Sequence, residues 1–159
     1  MPVYTTIEAV EQWTPSNLPD TIDNTFKTNA IAQASEEIDA ALTKFGLAYK
    51  SNTQKFPDIT DSPPTPVIIQ EVAQWLAAYR YYVKLKEINK NMEMKQGFLL
   101  RDMAKKRLER INNGEMDVIL SDGTKIERYV NDIYHTKDGV EPRINDTNVS
   151  DFDPFAQYE

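Results

Sequence analysis

The only dense group of carboxylates in this 159-residue chain is Glu36-Glu37-Asp39. Glu36 and Asp39 stand three apart, close to one helical turn, a spacing at which two carboxylates can share a cation. Their setting argues against that chemistry. Ile31, Ala34, Ile38, Ala41, Leu42 and Phe45 recur at three- and four-residue steps and mark the buried stripe of a helix. Gln33, Glu36, Glu37 and Asp39 then fall on its solvated side, whereas metal-binding carboxylates of helical bundles point inward beside histidines. The chain has one histidine, His135, and no cysteine. Disulfides, thiolate catalysis, cysteine-ligated metals and a multi-histidine site are excluded. With no glycine-rich phosphate loop, nucleophile elbow or zinc pattern, a catalytic reading is left without residues. The expectation is a protein that is no enzyme and takes no cofactor.

Two other groups suggest binding. Lys105, Lys106, Arg107 and Arg110 crowd the outer side of one helix, as a solvated face or as a contact for phosphates or for a neighbouring subunit's carboxylates. Phe152, Phe155 and Tyr158, spaced three apart, are set in an acidic stretch without sustained helical or alternating period. Each ring is worth roughly 1.5–3 kcal/mol when buried, so residues 131–159 read as an arm that grips a partner. Asn148-Val149-Ser150 matches a glycosylation sequon, which carries little meaning in a protein of the cytosolic side.

The elements that carry these groups are mainly helical. Thr5 and Glu8 fit a capping box for a short first helix, which Thr14-Pro15 stops near Trp13, with Ile7 and Val10 inward. The second helix, with the stripe above, is capped by Asn24 or Thr25 and stopped by Gly46. Residues 47–65 form a long, proline-rich loop. Thr65 as cap and Pro66 as first residue open the third helix, whose Val67, Ile68, Val72, Trp75, Leu76, Tyr79, Tyr82 and Val83 make a stripe wider than one neighbour needs. This helix is expected at the centre, with Trp75, Leu76 and Tyr79 against Ile31, Ile38 and Leu42. A fourth helix resumes near Glu93 with Leu100, Ala104, Leu108 and Ile111 inward and Met103 and Phe98 beside them. Gly97 costs it about 1 kcal/mol against alanine and predicts an irregular start; Asn112-Asn113-Gly114 ends it. Met116, Val118 and Leu120 then alternate with Asp117, Ile119 and Ser121, and Asp122-Gly123 turns a hairpin. The boundaries are a helical body over 1–115, a β-hairpin or extended arm over 116–130 and an acidic arm over 131–159.

Charge is unevenly spread. The net charge is −7, yet residues 84–110 hold nine cations against four carboxylates, while residues 131–159 hold two against seven. Overall acidity disfavours tight non-specific DNA binding. No apolar run approaches membrane-spanning length, and the first residues lack the basic and apolar regions of a signal peptide. The expectation is a protein of the cytosolic side with no membrane partner.

The order of elements carries a resemblance. A Tyr4-Thr5-Thr6-Ile7 start is followed by Ala34-Ser35-Glu36-Glu37-Ile38-Asp39-Ala40-Ala41-Leu42 and a proline-rich loop. Then come Ala73-Gln74-Trp75-Leu76-Ala77-Ala78-Tyr79-Arg80-Tyr81-Tyr82 and a basic helix closing in Leu108-Glu109-Arg110-Ile111-Asn112-Asn113-Gly114. Over about residues 4–120 this resembles the head–tail connector proteins of tailed bacteriophages, the adaptor or head-completion family. The resemblance implies a helical body and a ring of copies, a dodecamer in the particle, bound to the portal protein and followed by a stopper or other tail-side connector. It also implies a channel through which DNA passes without sequence-specific binding, and a C-terminal extension that clasps the portal. This chain departs from shorter relatives in its long acidic C-terminal segment, in which Phe152, Phe155 and Tyr158 are the residues expected to dock on the portal or another partner. The location implied is the virion's head–tail interface, with the host cytoplasm during assembly. A helical DNA-packaging protein such as a small terminase subunit, with Lys105, Lys106, Arg107 and Arg110 on DNA, is the alternative.

Overall fold

Four helices and a two-stranded hairpin follow one another in a computed structural model that describes residues 1–43 and 54–127. Phe45, Gly46, His135, the 148–150 sequon and the aromatic residues Phe152, Phe155 and Tyr158 lie outside the described residues, as does the end of the expected 116–130 arm.

Helix α1 spans Ile7–Glu11 and is capped by Thr6, whose hydroxyl accepts a 3.3 Å hydrogen bond from the Ala9 amide. The expected cap, Thr5, is one residue too early. Tyr4 is fully buried and its amide donates to Ser35 Oγ at 3.1 Å, so Thr5 belongs to the extended segment tied to the core. Glu8 thus falls at the second helical position, not the third. Helix α2 spans Asn24–Ala41, and Asp23, rather than Asn24 or Thr25, caps it through a 2.8 Å bond from the Phe26 amide. A carboxylate is favourable here because it satisfies an orphan amide and faces the positive end of the helix dipole.

Helix α3, Val67–Ile88, begins after Pro66, which sits at the cap with no side-chain bond. Thr65 fails as a cap because its hydroxyl is used elsewhere: it is buried and donates to the Pro57 carbonyl at 2.7 Å, anchoring the proline-rich segment. Val67 is 66% exposed rather than part of the inner stripe. Ile69, Val72, Ala73, Trp75, Leu76, Ala77, Ala78, Tyr81, Tyr82 and Leu85 are buried. A helix buried this far round has neighbours on several sides, and α3 packs against α1, α2, α4 and the first strand. Its central place is as the width of its apolar stripe predicts. Trp75 and Leu76 share one core with Ile31, Ile38 and Leu42, but Tyr79 turns to α4, 6.3 Å from the Phe98 ring.

Helix α4 spans Lys95–Asn112, with Leu100, Ala104, Leu108 and Ile111 buried as expected. Its start is regular despite Gly97, and the glycine has a packing reason. Gly97 is buried, and a Cβ built on it would lie 2.8 Å from Tyr82 Cβ and 3.1 Å from Tyr82 Cγ. Only hydrogen fits between α3 and α4 at this crossing. The helix ends in a Schellman motif. Gly114, at φ 81°, donates to the Ile111 carbonyl, and Glu115 donates to that of Arg110. Strands β1, Val118–Ile119, and β2, Lys125–Ile126, pair antiparallel with Val118 opposite Ile126. The turn holds Gly123 at φ 90°, and the Asp122 carboxylate accepts from the Thr124 amide at 2.8 Å. Val118 is buried against the body and Ile119 faces out, so the helices supply the cover that a lone hairpin lacks.

Gly97→Ala tests the close crossing. Helix propensity alone favours alanine by about 1 kcal/mol, whereas overpacking costs about 1–3 kcal/mol. A net loss of stability in urea unfolding is expected. An unchanged or raised midpoint would show that α3 and α4 have room to part.

Candidate functional site

The four cations singled out from the sequence do not form one patch. Lys105 and Lys106 are exposed on α4 and make no ion pair among the described residues. Arg107 instead lies at the edge of the buried stripe, three residues beyond Ala104. Its guanidinium sits 5.0 Å from the centre of the Trp75 ring and pairs with Glu71 at 2.9 Å. The Trp13 ring meets Trp75 edge-on from another side, at 6.0 Å, so Arg107 is part of the packing around that indole. Arg110 is exposed and pairs with Glu115 at 3.3 Å. Packing therefore takes Arg107 out of a phosphate-binding surface, while Lys105, Lys106 and Arg110 stay exposed.

The carboxylates depart from expectation in a similar way. Glu36 is exposed, as read from the stripe, but Glu37 reaches Arg80 on α3 at 2.6 Å, with Gln33 accepting from the same guanidinium at 3.3 Å. Asp39 is only partly exposed and turns toward the N-terminal segment. Its Oδ1 accepts a 2.6 Å bond from the Tyr4 hydroxyl and a longer one, 3.4 Å, from the Lys55 amide. The Tyr4 hydroxyl in turn accepts from the Phe56 amide at 3.3 Å, and the Tyr4 and Phe56 rings meet edge-to-face at 5.8 Å. Next to this hub Val3 and the 58–59 segment bond reciprocally: the Val3 amide donates to Asp58 at 2.9 Å, and the Ile59 amide donates to the Val3 carbonyl at 2.8 Å. Burial pushes the Asp39 carboxyl up to about 6, against the opposing pull of the Tyr4 and Lys55 bonds, and it holds the Tyr4 hydroxyl far above its ordinary range. The arrangement ties three chain segments together and leaves Glu36 and Asp39 in different surroundings. Among the described residues no group of three or more histidine, aspartate or glutamate side chains is placed to hold a metal ion, and no helix is long and apolar enough to cross a membrane.

Exposed apolar side chains are also found near the start of α4 and the end of α3. Phe98 and Leu99 are 45% and 51% exposed, and Ile88, at the end of α3, is 46% exposed. Glu93, Lys95, Gln96, Phe98, Leu99 and Asp102 line a shallow cleft there of about 790 Å³. Arg101 backs the Phe98 ring: its guanidinium carbon is 5.3 Å from the centres of both Phe98 and Tyr79, and the nearest carboxylate is Asp102 at 3.7 Å. Placing Phe98 beside the inner stripe was wrong. The signal was present in the sequence, because Leu100 faces inward and residues one and two before it point about 100° and 200° away around a helix. A second cleft, about 500 Å³, runs between α2 and α3 past Phe26, Gln33, Tyr79 and Arg80; the Glu37–Arg80 pair occupies its polar side.

Comparison with known protein families, with characterised proteins and with solved structures returns no match for this chain.

The Asp39 hub has a definite pH signature. Its carboxyl titrates near 6 in the folded chain against 3.8 when free, so the folded state holds the proton more tightly. This group stabilises the fold most fully below about pH 4, and that contribution is lost as pH rises through about 6. Asp39→Asn keeps an acceptor for Tyr4 and removes the charge. The stability of the variant relative to the parent should therefore rise between about pH 4 and pH 6.5 by on the order of 1–2 kcal/mol, allowing for partial exposure. Urea unfolding at several pH values measures this, and a difference that does not change with pH would refute it.

Proposed function

We propose that this chain is a structural head–tail connector of a tailed bacteriophage. Copies assemble as a ring beneath the portal, join head to tail and continue the DNA channel. The observation that carries the reading is the exposed apolar pair Phe98 and Leu99 on the outer side of α4, on a small helical body with a filled core. A ring requires each copy to present one face to a different face of the next, and an apolar patch rimmed by charges suits such a contact. The order of elements supports it as well. A short capped helix, an Ala-rich helix, a proline-rich segment, a central tyrosine-rich helix and a basic helix succeed one another as in the family the sequence resembles.

The small-terminase alternative needs duplex phosphates to be captured by Lys105, Lys106, Arg107 and Arg110. With Arg107 stacked on Trp75 and paired with Glu71, Lys105, Lys106 and Arg110 remain, the last in a solvent-exposed pair with Glu115. Three phosphate contacts on a chain of net charge −7 give weak duplex binding.

Co-sedimentation of the full-length chain with assembled portals of the same phage is the direct test. Saturable binding is expected, at one copy per portal subunit. In parallel, the chain should not retard duplex DNA at about 50 mM salt, where phosphate contacts are strongest. Absence of portal binding would refute the connector reading. Tight duplex binding that collapses by about 200 mM salt would favour the packaging protein.

A further inference from the structure

We infer that the outer face of α4, around Phe98, Leu99, Lys105 and Lys106, is the dock for the acidic aromatic segment 151–159 of a second copy of this chain. The inference rests on the connector reading only for its purpose, since it names which partner the arm of each copy grips. It stands on three observations.

The first is the chemistry of the face. The exposed side of α4 carries Lys95, Phe98, Leu99, Lys105 and Lys106, with Asp102 and Glu109 as its carboxylates. Apolar side chains sit at one end and a lysine pair about two turns further on, roughly 10 Å along the axis. Arg101, held against the Phe98 ring, donates to the Tyr79 hydroxyl at 3.5 Å and lies 3.7 Å from the Asp102 carboxylate. The face combines rings, an aliphatic patch and cations.

The second is the chemistry of the proposed occupant. Asp151-Phe152-Asp153-Pro154-Phe155-Ala156-Gln157-Tyr158-Glu159 alternates carboxylates with rings. Phe152 and Phe155 are three residues apart, about 10 Å if extended, the same length as the step from the apolar pair to the lysine pair. Residues 84–110 hold nine cations against four carboxylates and residues 131–159 two against seven. Such complementary charge steers encounter, while the rings supply affinity.

The third is reach. The described chain ends at Glu127, after β2, and thirty-two residues follow. A segment of that length spans up to about 100 Å, several times the dimension of a body this size, so a neighbouring copy is well within range. Contact between different surfaces of successive copies is heterologous and propagates around a ring.

Photo-crosslinking of the full-length chain tests this. Phe155 is replaced by the photoreactive analogue p-benzoylphenylalanine, and that chain is mixed with unmodified chain of a different nitrogen isotope at about 0.2 mM, where weak contacts are populated. Crosslinks between isotopically different copies, mapping to residues 95–106, are expected. They should fall at least fivefold when the unmodified chain carries Leu99→Asp, and likewise with Lys105→Glu and Lys106→Glu together. All three positions are exposed, and circular dichroism confirms that the variants fold. Crosslinks confined to one copy, crosslinks to another surface, or none at all would each overturn the inference. None of these outcomes bears on portal co-sedimentation, so a failure here is distinguishable from a failure of the connector reading. Portals added to the mixture should leave the 95–106 crosslinks in place; their replacement by crosslinks to portal protein would move the arm's dock to the portal.

Discussion

The close crossing of α3 and α4 at Gly97 is the constraint on which the rest of this body depends. Helix α3 is buried over most of its circumference, with α2 on one side, α4 on the other, and α1 and β1 filling the remaining surface. Such a helix cannot shift toward one neighbour without opening a gap against another, because interiors are packed to crystal density. At Tyr82 the space between α3 and α4 is too small for a methyl group. That contact sets how deeply Leu100, Ala104 and Leu108 sink into the core. It also sets which residues of α4 are left outside. Phe98 and Leu99 are exposed because Gly97 and Leu100, on either side of them, face the core.

Where α3 is held by apolar packing, the N-terminal segment is held by polar stitching. The Tyr4 ring is buried, but its hydroxyl joins Asp39 of α2 to the Phe56 amide, and the Val3 backbone is bonded to Asp58 and Ile59. A carboxylate pushed up toward 6 by burial is a cost to the fold at neutral pH. Against that cost stands the Tyr4 hydroxyl, which on a fully buried ring gains in Asp39 an acceptor for its proton. In this way three segments distant in sequence come together without a strand or a helix to join them.

The sequence was most legible where one physical signal acted alone. The periodic stripe of α2, the breadth of the α3 stripe and the Asp122-Gly123 turn each pointed to the element found. Helix starts were shifted by a residue or two, because capping residues are judged locally while their hydroxyls are recruited by tertiary partners. Thr65 bonds Pro57, and Thr5 is fixed by the extended segment around Tyr4. Gly97 was read by propensity as a weakness, although its effect is steric and depends on Tyr82, fifteen residues away. Asp39 and Arg107 were assigned to the solvated side by helical angle, yet both lie at the edges of their stripes, where a long or polar side chain turns inward once it finds a partner. Tyr4 for Asp39 and Trp75 with Glu71 for Arg107 are long-range partners that no local pattern announces.

The energetics of the exposed apolar pair bear on how assembly would proceed. Phe98 and Leu99 each keep about half of their surface in water, so covering both yields roughly 2–3 kcal/mol at ordinary transfer values. The loss of rigid-body freedom on association costs about 4–15 kcal/mol. A patch of this size cannot by itself hold two copies together. An arm that brought its own rings to a neighbour, as proposed above, would add a contact of similar size, and the covalent tether would make the second contact effectively intramolecular once the first had formed. In the proposed ring each copy would make such contacts twice, once as donor of the arm and once as its acceptor. Weak individual contacts would then favour assembly on a template over premature association in solution, as the proposed connector role requires.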